Sequence, residues 1–457
     1  MSVALESDAG GERAFPVTRN FADWTAAAAG ETIPESAYEW AKHALLDWFG
    51  VTIAGGSEPL SQMLAEEFGS TGGACTLVGL GRRASLHDAA LVNGSVSHAL
   101  DYDDVNRRLH GHPTVCVAAA ALATGEALGS SGRELLTAMI VGTEVACNLG
   151  ERCDEGHYEA GYHATGTMGT FGAAAAAARL MGLDGETTAR AFGIAASQAA
   201  GLKCNFGTMT KPLHAGKAAM NGVMAARLAA RGFTANPGAI EAPQGFADTQ
   251  VPGFDAGAIR PDPERTFAIE EMLFKYHAAC YLTHATLEAI ARLRADEGVS
   301  LDAAKRIRLR FRPTHLSVCC IPAPATGLEI KFSIAHLAVM ALAGIDTAAL
   351  ASYSDENARD PRLVAAREEK VVLEPDAGID RMAAVVEIET TDGRFLRAQG
   401  DVGRPSRDTG AQWRKLCDKF DALVAPVAGT QRAEEIRQQI AALDGSASLD
   451  ALLRAAR

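Results

Sequence analysis

The stretch His98-Ala99-Leu100-Asp101-Tyr102-Asp103-Asp104-Val105-Asn106-Arg107-Arg108-Leu109-His110-Gly111-His112-Pro113 sets three carboxylates, two arginines and three histidines within sixteen residues. An almost unbroken run of small apolar residues, Val115 to Thr124, follows it. Ionisable groups packed this densely beside a segment that reads as buried helix point to a site enclosed by helices.

Outward from this loop the helical pattern continues. Glu35–Ile53 carries apolar residues at Tyr38, Ala41, Leu45, Trp48 and Phe49, a stripe of period 3.6. Thr32 and Pro34 supply its start, and Ala54-Gly55-Gly56 its stop. Ser61–Phe68 reads as helix, Thr76–Val78 as a short extended piece, and Ser85 caps a helix that runs to His98. Thr114–Leu128 and Gly132–Cys147 form a pair around a Gly-Ser-Ser-Gly turn. Gly166–Met181 is so rich in alanine that neighbouring helices can approach it closely. Asp184–Ala199 and His214–Ala230 complete the series.

From residue 236 prolines and glycines mark irregular chain, and the texture then becomes mixed. Tyr281–Arg294 and Ser333–Ala343 read as helices; Arg306–Phe311 alternates as a strand. Val371–Glu374, Ala383–Glu389 and Phe395–Gln399 are strand-like, the last two joined by a hairpin turn at Thr391-Asp392-Gly393. Residues 409–457 return to helix. The expected fold is mainly α: a discontinuous all-helical domain over 15–267 and 400–457, with an inserted α+β domain over 268–399. Residues 1–14 read as a disordered tail.

At 457 residues and 48% apolar content the chain can bury a large core. A formal charge of −13 argues against nucleic acid or an anionic membrane as the main partner. An anionic ligand therefore requires a local gathering of cations. Nine cysteines, odd in number and without a CxxC pair, read as reduced and mostly buried thiols. Met1–Glu12 has no apolar core of a signal peptide, and no run is long enough to span a bilayer. The expected location is the cytoplasm.

Asp101, Asp103 and Asp104 with His110 and His112 admit two readings from the residues alone, a metal site or a loop held by carboxylate–arginine pairs. Gly161-Tyr162-His163-Ala164-Thr165-Gly166 leads into the alanine-rich helix, where backbone N–H groups favour an anion. Lys211, directly before Pro212, is expected to stand off the helix that follows. It comes from the Gly207-Thr208-Met209 loop, while Lys275 lies where the helical texture gives way to the mixed one. No Gly-x-Ser-x-Gly elbow is present, and nothing marks Cys280 as an activated nucleophile. Cofactor-free acid–base chemistry on a small acid needs cations, a base and an acid; Lys211, Lys275, His112, His163 and Asp101 meet that need.

Asn93-Gly94, His98-Ala99-Leu100-Asp101-Tyr102-Asp103-Asp104 and His112-Pro113 resemble markers of the MmgE/PrpD family. So do Gly161-Tyr162-His163, Lys211-Pro212-Leu213-His214-Ala215-Gly216 and Gly327-Leu328-Glu329-Ile330-Lys331-Phe332-Ser333. These occur in family order over nearly the whole chain. The resemblance implies a helical domain with an α+β lid, a homodimer, and neither metal nor organic cofactor. It also implies a lyase, dehydratase or decarboxylase, acting on a small di- or tricarboxylate such as 2-methylcitrate or cis-aconitate. An epimerase of an iminodisuccinate-like acid is the alternative, and an inactive binding homologue a third.

By motif, Asp101, His112, His163, Lys211 and Lys275 match the polar active-site positions of decarboxylase-type members. Lys211 and Lys275 are expected to clamp carboxylates from opposite walls, and His112 and His163 to move protons, with Asp101 orienting an imidazole or ordering the loop. Thr165, Thr208 of the Thr208-Met209 pair, and His277 are the further candidates for substrate contact. Val105 stands where those members carry a threonine, Val318 or Cys319 replaces a tyrosine, and the Asp101–His112 loop is one residue longer. Two missing hydroxyls imply a differently shaped carboxylate pocket.

Overall fold

A computed structural model describes residues 16–28, 32–69, 72–254 and 266–457. The tail expected over residues 1–14 lies outside them. Helix accounts for 59% of the described residues, so the architecture is mainly α.

The helix Ala164–Leu180 runs through the centre, buried from Ala164 to Ala178. Helices Pro113–Leu128, Gly132–Glu159 and Thr210–Ala230 pack around it. Small side chains make this possible. A Cβ at Gly142 would stand 2.6 Å from the Gly172 carbonyl, so any larger residue would push these two helices apart. Helix Leu86–Ser97 touches Thr210–Ala230 in the same way, a Cβ at Gly94 falling 2.9 Å from the Gly216 Cα. Gly94 lies just ahead of Asp101 and Gly216 just after Lys211. That one close crossing therefore brings the end of the first helix to the beginning of the second.

Several boundaries differ from expectation, for physical reasons. Gly132–Glu159 continues a full three turns past Cys147, because Leu149, Cys153 and His157 extend the buried face at intervals of four residues. The helix expected from His214 begins at Thr210, so Lys211 and Pro212 sit in its first turn rather than before it. Proline is tolerated there because first-turn N–H groups have no intrahelical acceptor. The helices Val17–Ala27 and Pro361–Lys370 were not expected from the sequence.

A small hairpin pairs β1 (Cys75–Leu77) with β2 (Arg82–Ala84). The larger sheet comprises β3 (Ala304–Phe311), β4 (Val371–Pro375), β5 (Ala383–Thr390) and β6 (Phe395–Asp401), in the order β4-β3-β5-β6. β3 and β4 are parallel, the other pairs antiparallel. Ile307, Leu309 and Phe311 are buried, within a core shared with the helices His284–Glu297 and Ile334–Leu342. Arg308 and Arg310 alternate with them and pair with Glu374, Glu389, Asp376 and Glu387. The helices Thr409–Ala428 and Thr430–Ala441 return to pack on Glu35–Gly55. Among the described residues, no helix is long and apolar enough to cross a membrane.

Candidate active site

Three helices begin at one place. His112, His163 and Met209 are the residues just before Pro113–Leu128, Ala164–Leu180 and Thr210–Ala230, and neither histidine caps its helix with its side chain. The imidazoles are thus free for other partners, in the positive field of the helix starts. The loop after Leu86–Ser97 completes the arrangement. Asp101 adopts φ 51° and His110 φ 55°, left-handed conformations that cost a non-glycine residue energy and persist where surrounding contacts impose them.

The three aspartates of the loop have separate tasks. Asp101 Oδ1 accepts from Lys275 Nζ at 2.7 Å and lies 2.9 Å from Lys211 Nζ. Burial alone would raise its pKa, but the two ammonium groups hold it well below the usual carboxylate range. Asp103 holds two imidazoles: His98 Nδ1 and His112 Nδ1 each lie 2.8 Å from one of its oxygens. Burial opposes ionisation here as well, and the two histidines reverse it. Asp104 faces the core instead. Its burial, with Asp47 nearby, pushes its pKa well up.

His112 Nδ1 is also 2.8 Å from the Asp104 carbonyl. Both neighbours of Nδ1 are acceptors, so Nδ1 carries the hydrogen and Nε2 presents a lone pair, 3.8 Å from Asp101 Oδ1. Burial lowers the pKa of His112, and it lowers that of His163 far more, with Lys211 adding to the effect. His163 Nδ1 lies 3.0 Å from His214 Nδ1, so one ring donates to the other. The ring centroids of His98 and His112 are 4.5 Å apart, those of His98 and His163 6.0 Å.

These groups open on a cavity lined by Asp101, Val105, His110, His112, Tyr158, His163, Phe206, Lys211, Cys280, Val318, Phe332 and Arg381 among others. The Lys211 ammonium sits 5.3 Å from the ring centres of both Phe206 and Phe332, an apolar enclosure that strengthens its pull on an anion.

Asp101, His112, His163 and Lys211 therefore share one cavity wall. Lys275 corrects an expectation. It is completely buried behind Asp101, bonded to that residue's carbonyl at 2.6 Å as well as to its carboxylate, and does not line the cavity from an opposite wall. Thr165 accepts from the His112 N–H at 3.0 Å, so it positions the histidine from behind rather than facing a ligand. Thr208 turns its hydroxyl to the Asn205 carbonyl at 2.9 Å, and His277 lies apart, 2.8 Å from Thr347 Oγ1 and 3.6 Å from Glu288. Neither is among the cavity's residues.

Other participants escaped the sequence reading. Lys331 donates to the Leu100 carbonyl and fixes the backbone next to Asp101; burial brings its pKa down to about 8. Its place in the Gly327–Ser333 motif was the available signal. Arg381 and Tyr158 had none, since each reaches the cavity from a segment without a recognisable pattern. His98, Asp101, Asp103 and His112 bring possible metal-ligand atoms within 4.8 Å of one another. However, Asp101 Oδ1 already faces two ammonium groups, which oppose a further cation.

The pattern of the MmgE/PrpD N-terminal domain matches residues 19–258, and that of the C-terminal domain residues 277–445. The chain belongs to the MmgE/PrpD family. Within it, a cis-aconitate decarboxylase of Aspergillus terreus is 26% identical over 475 residues, 96% of this chain and 95% of that protein. Human cis-aconitate decarboxylase is 31% identical over 262 residues, covering 55% of this chain and 54% of its own. The mouse protein of the same name is 28% identical over 355 residues, with 73% and 69% covered. This kinship supports lyase chemistry of the MmgE/PrpD type.

Proposed function

We propose that this MmgE/PrpD protein is a cofactor-independent lyase that dehydrates or decarboxylates a small di- or tricarboxylate, cis-aconitate and 2-methylcitrate being the first acids to try. One observation carries the reading: Lys211, Asp101 and the lone pair of His112 Nε2 meet in a cavity that His163, its pKa lowered by burial, also lines. Lys211 would take a substrate carboxylate and stabilise the negative charge that develops on it. In a dehydration, His112 Nε2 removes the proton next to a carboxylate, and hydroxide departs with a proton from the imidazolium. In a decarboxylation, carbon dioxide leaves with its bond to carbon broken, and the carbanion left behind takes a proton that His112 Nε2 has first taken up from solvent. Asp101 pairs with the two lysines, while Asp103 fixes the tautomer of His112.

An epimerase remains the second reading, because His112 and His163 are two imidazoles of lowered pKa on one cavity, so that one could take a proton and the other return one. The sheet-bearing part, residues 268–399, would serve as a lid on a discontinuous helical domain, in a cytoplasmic homodimer. Incubation with cis-aconitate, 2-methylcitrate, citrate and iminodisuccinate in deuterated water, followed by NMR, tests the proposal. Loss of water or carbon dioxide from one acid is expected. Solvent exchange without loss would establish the epimerase, and no change in any acid would refute both.

A further inference from the structure

We propose that Lys419, on the closing helix Thr409–Ala428, is a positioning residue for the reaction, holding the turn at Asp101 together with Lys275 and Lys331. The proposal rests on the lyase reading for its chemistry, and on hydrogen bonds that stand without that reading for its geometry. Leu100, Asp101 and Tyr102 are buried, and Asp101, with its left-handed backbone, is the middle one of the three. Among the described residues no backbone N–H donates to any of their carbonyls. A buried carbonyl still needs a donor, and each of these receives a lysine. Lys331 Nζ donates to the Leu100 carbonyl, Lys275 Nζ to that of Asp101 at 2.6 Å, and Lys419 Nζ to that of Tyr102 at 2.7 Å. Three segments far apart in sequence thus end on three consecutive peptide groups.

Lys419 acts at the point from which both working carboxylates hang. Tyr102 stands between Asp101, which pairs with Lys211 and Lys275, and Asp103, which pairs with His98 and His112. Lys419 grips this residue twice, at its carbonyl and over its ring, with Nζ 4.0 Å from the ring centre. It is itself fixed by Asp47 Oδ1 at 2.6 Å, on the helix Glu35–Gly55. A left-handed aspartate is held by its surroundings and not by its own preference, so removing one donor lets the peptide rotate. Asp101 and Asp103 then move relative to Lys211 and His112. Lys419 does not line the cavity, so its influence passes through the turn. A small misplacement of reacting groups costs rate, whereas Lys211 stays in the cavity wall to hold an acid.

The test compares Lys419→Met with Leu423→Ala, which opens a cavity on the same helix beside Gly50. Both should lower the melting temperature. Lys419→Met should also lower kcat for the best acid about tenfold or more. Its KM, and its calorimetric affinity for tricarballylate, an unreactive propane tricarboxylate, should stay within about threefold of wild type. Leu423→Ala should keep kcat within about twofold, and Lys419→Arg, which retains a donor, should recover part of the loss. Wild-type kcat in folded Lys419→Met, a fall no greater than in Leu423→Ala, or a loss confined to KM would overturn the proposal. If Lys419→Met does not fold, Lys419→Gln, whose amide ends short of the lysine amine, is judged by the same results. Failure of both to fold would assign the residue to the fold alone and overturn the proposal. If the wild-type protein turns over no acid, the lyase reading fails, and a crystal structure of Lys419→Met decides the positioning. A displaced Asp101 turn would support it, and an unchanged turn would overturn it.

Discussion

The two sides of the cavity are built on different principles. On the helical side, Asp101, His112, His163 and Lys211 sit at helix ends packed by small residues, nearly inaccessible except for the partly exposed His112, and fixed by their neighbours. On the other side, Cys280, Val318 and Arg381 arrive on irregular segments around the sheet-bearing part. The first side has the rigidity that proton transfer needs, since small displacements of a base cost rate steeply. The second can change its side chains without disturbing those helices, and is where family members would differ in the acid they accept.

Asp101→Asn should have the largest effect. It leaves two buried ammonium groups without their counter-charge, which costs about 3–5 kcal/mol for a broken buried pair, so the melting temperature and activity should fall together. Retained activity in a stable Asp101→Asn protein would break the distinction between the two sides. The lysines sharpen it. Lys211→Met should raise KM strongly, because Lys211 lines the cavity. Lys275→Met, acting through Asp101 from behind, should lower kcat with less change in KM. Equal KM effects from both would return Lys275 to the cavity.

The pH dependence probes the histidines. Burial lowers His112 and His163 below the ordinary imidazole value, so the basic forms persist as pH falls and the acid limb of kcat/KM should lie below about 6.5. Stability follows the same sign. His98, pushed down to about 3 by burial, binds fewer protons folded than unfolded between that value and about 6.5. The melting temperature should therefore decline as pH is lowered through this range. An acid limb above pH 6.5 would contradict the assigned tautomers and environments. Val105→Thr is expected to do least: it adds a hydroxyl to the cavity wall and should shift relative kcat/KM between two acids by about tenfold or less.

Legibility in the sequence divided along the same line. Helix starts and stops around residues 98–113, 163 and 211 are local signals, written in proline, glycine and alanine spacing, and they led to residues that the fold brings together. Their assignment in detail needed three dimensions. Lys275 and Lys211 look alike in sequence, yet one stands behind Asp101 and the other lines the cavity. Asp103 and Asp104 are adjacent, yet burial beside Asp47 pushes the pKa of Asp104 up, and two histidines hold that of Asp103 down. Arg381 precedes a strand that was anticipated, but its arrival beside His110, 271 positions earlier, depends on tertiary packing alone.

The most direct test of the central idea separates holding an acid from moving its protons. In His112→Gln, tricarballylate affinity and turnover of the best acid are measured side by side. Affinity close to wild type with turnover reduced about 100-fold or more would place the proton chemistry on His112 Nε2. Undiminished turnover in that variant would contradict the account.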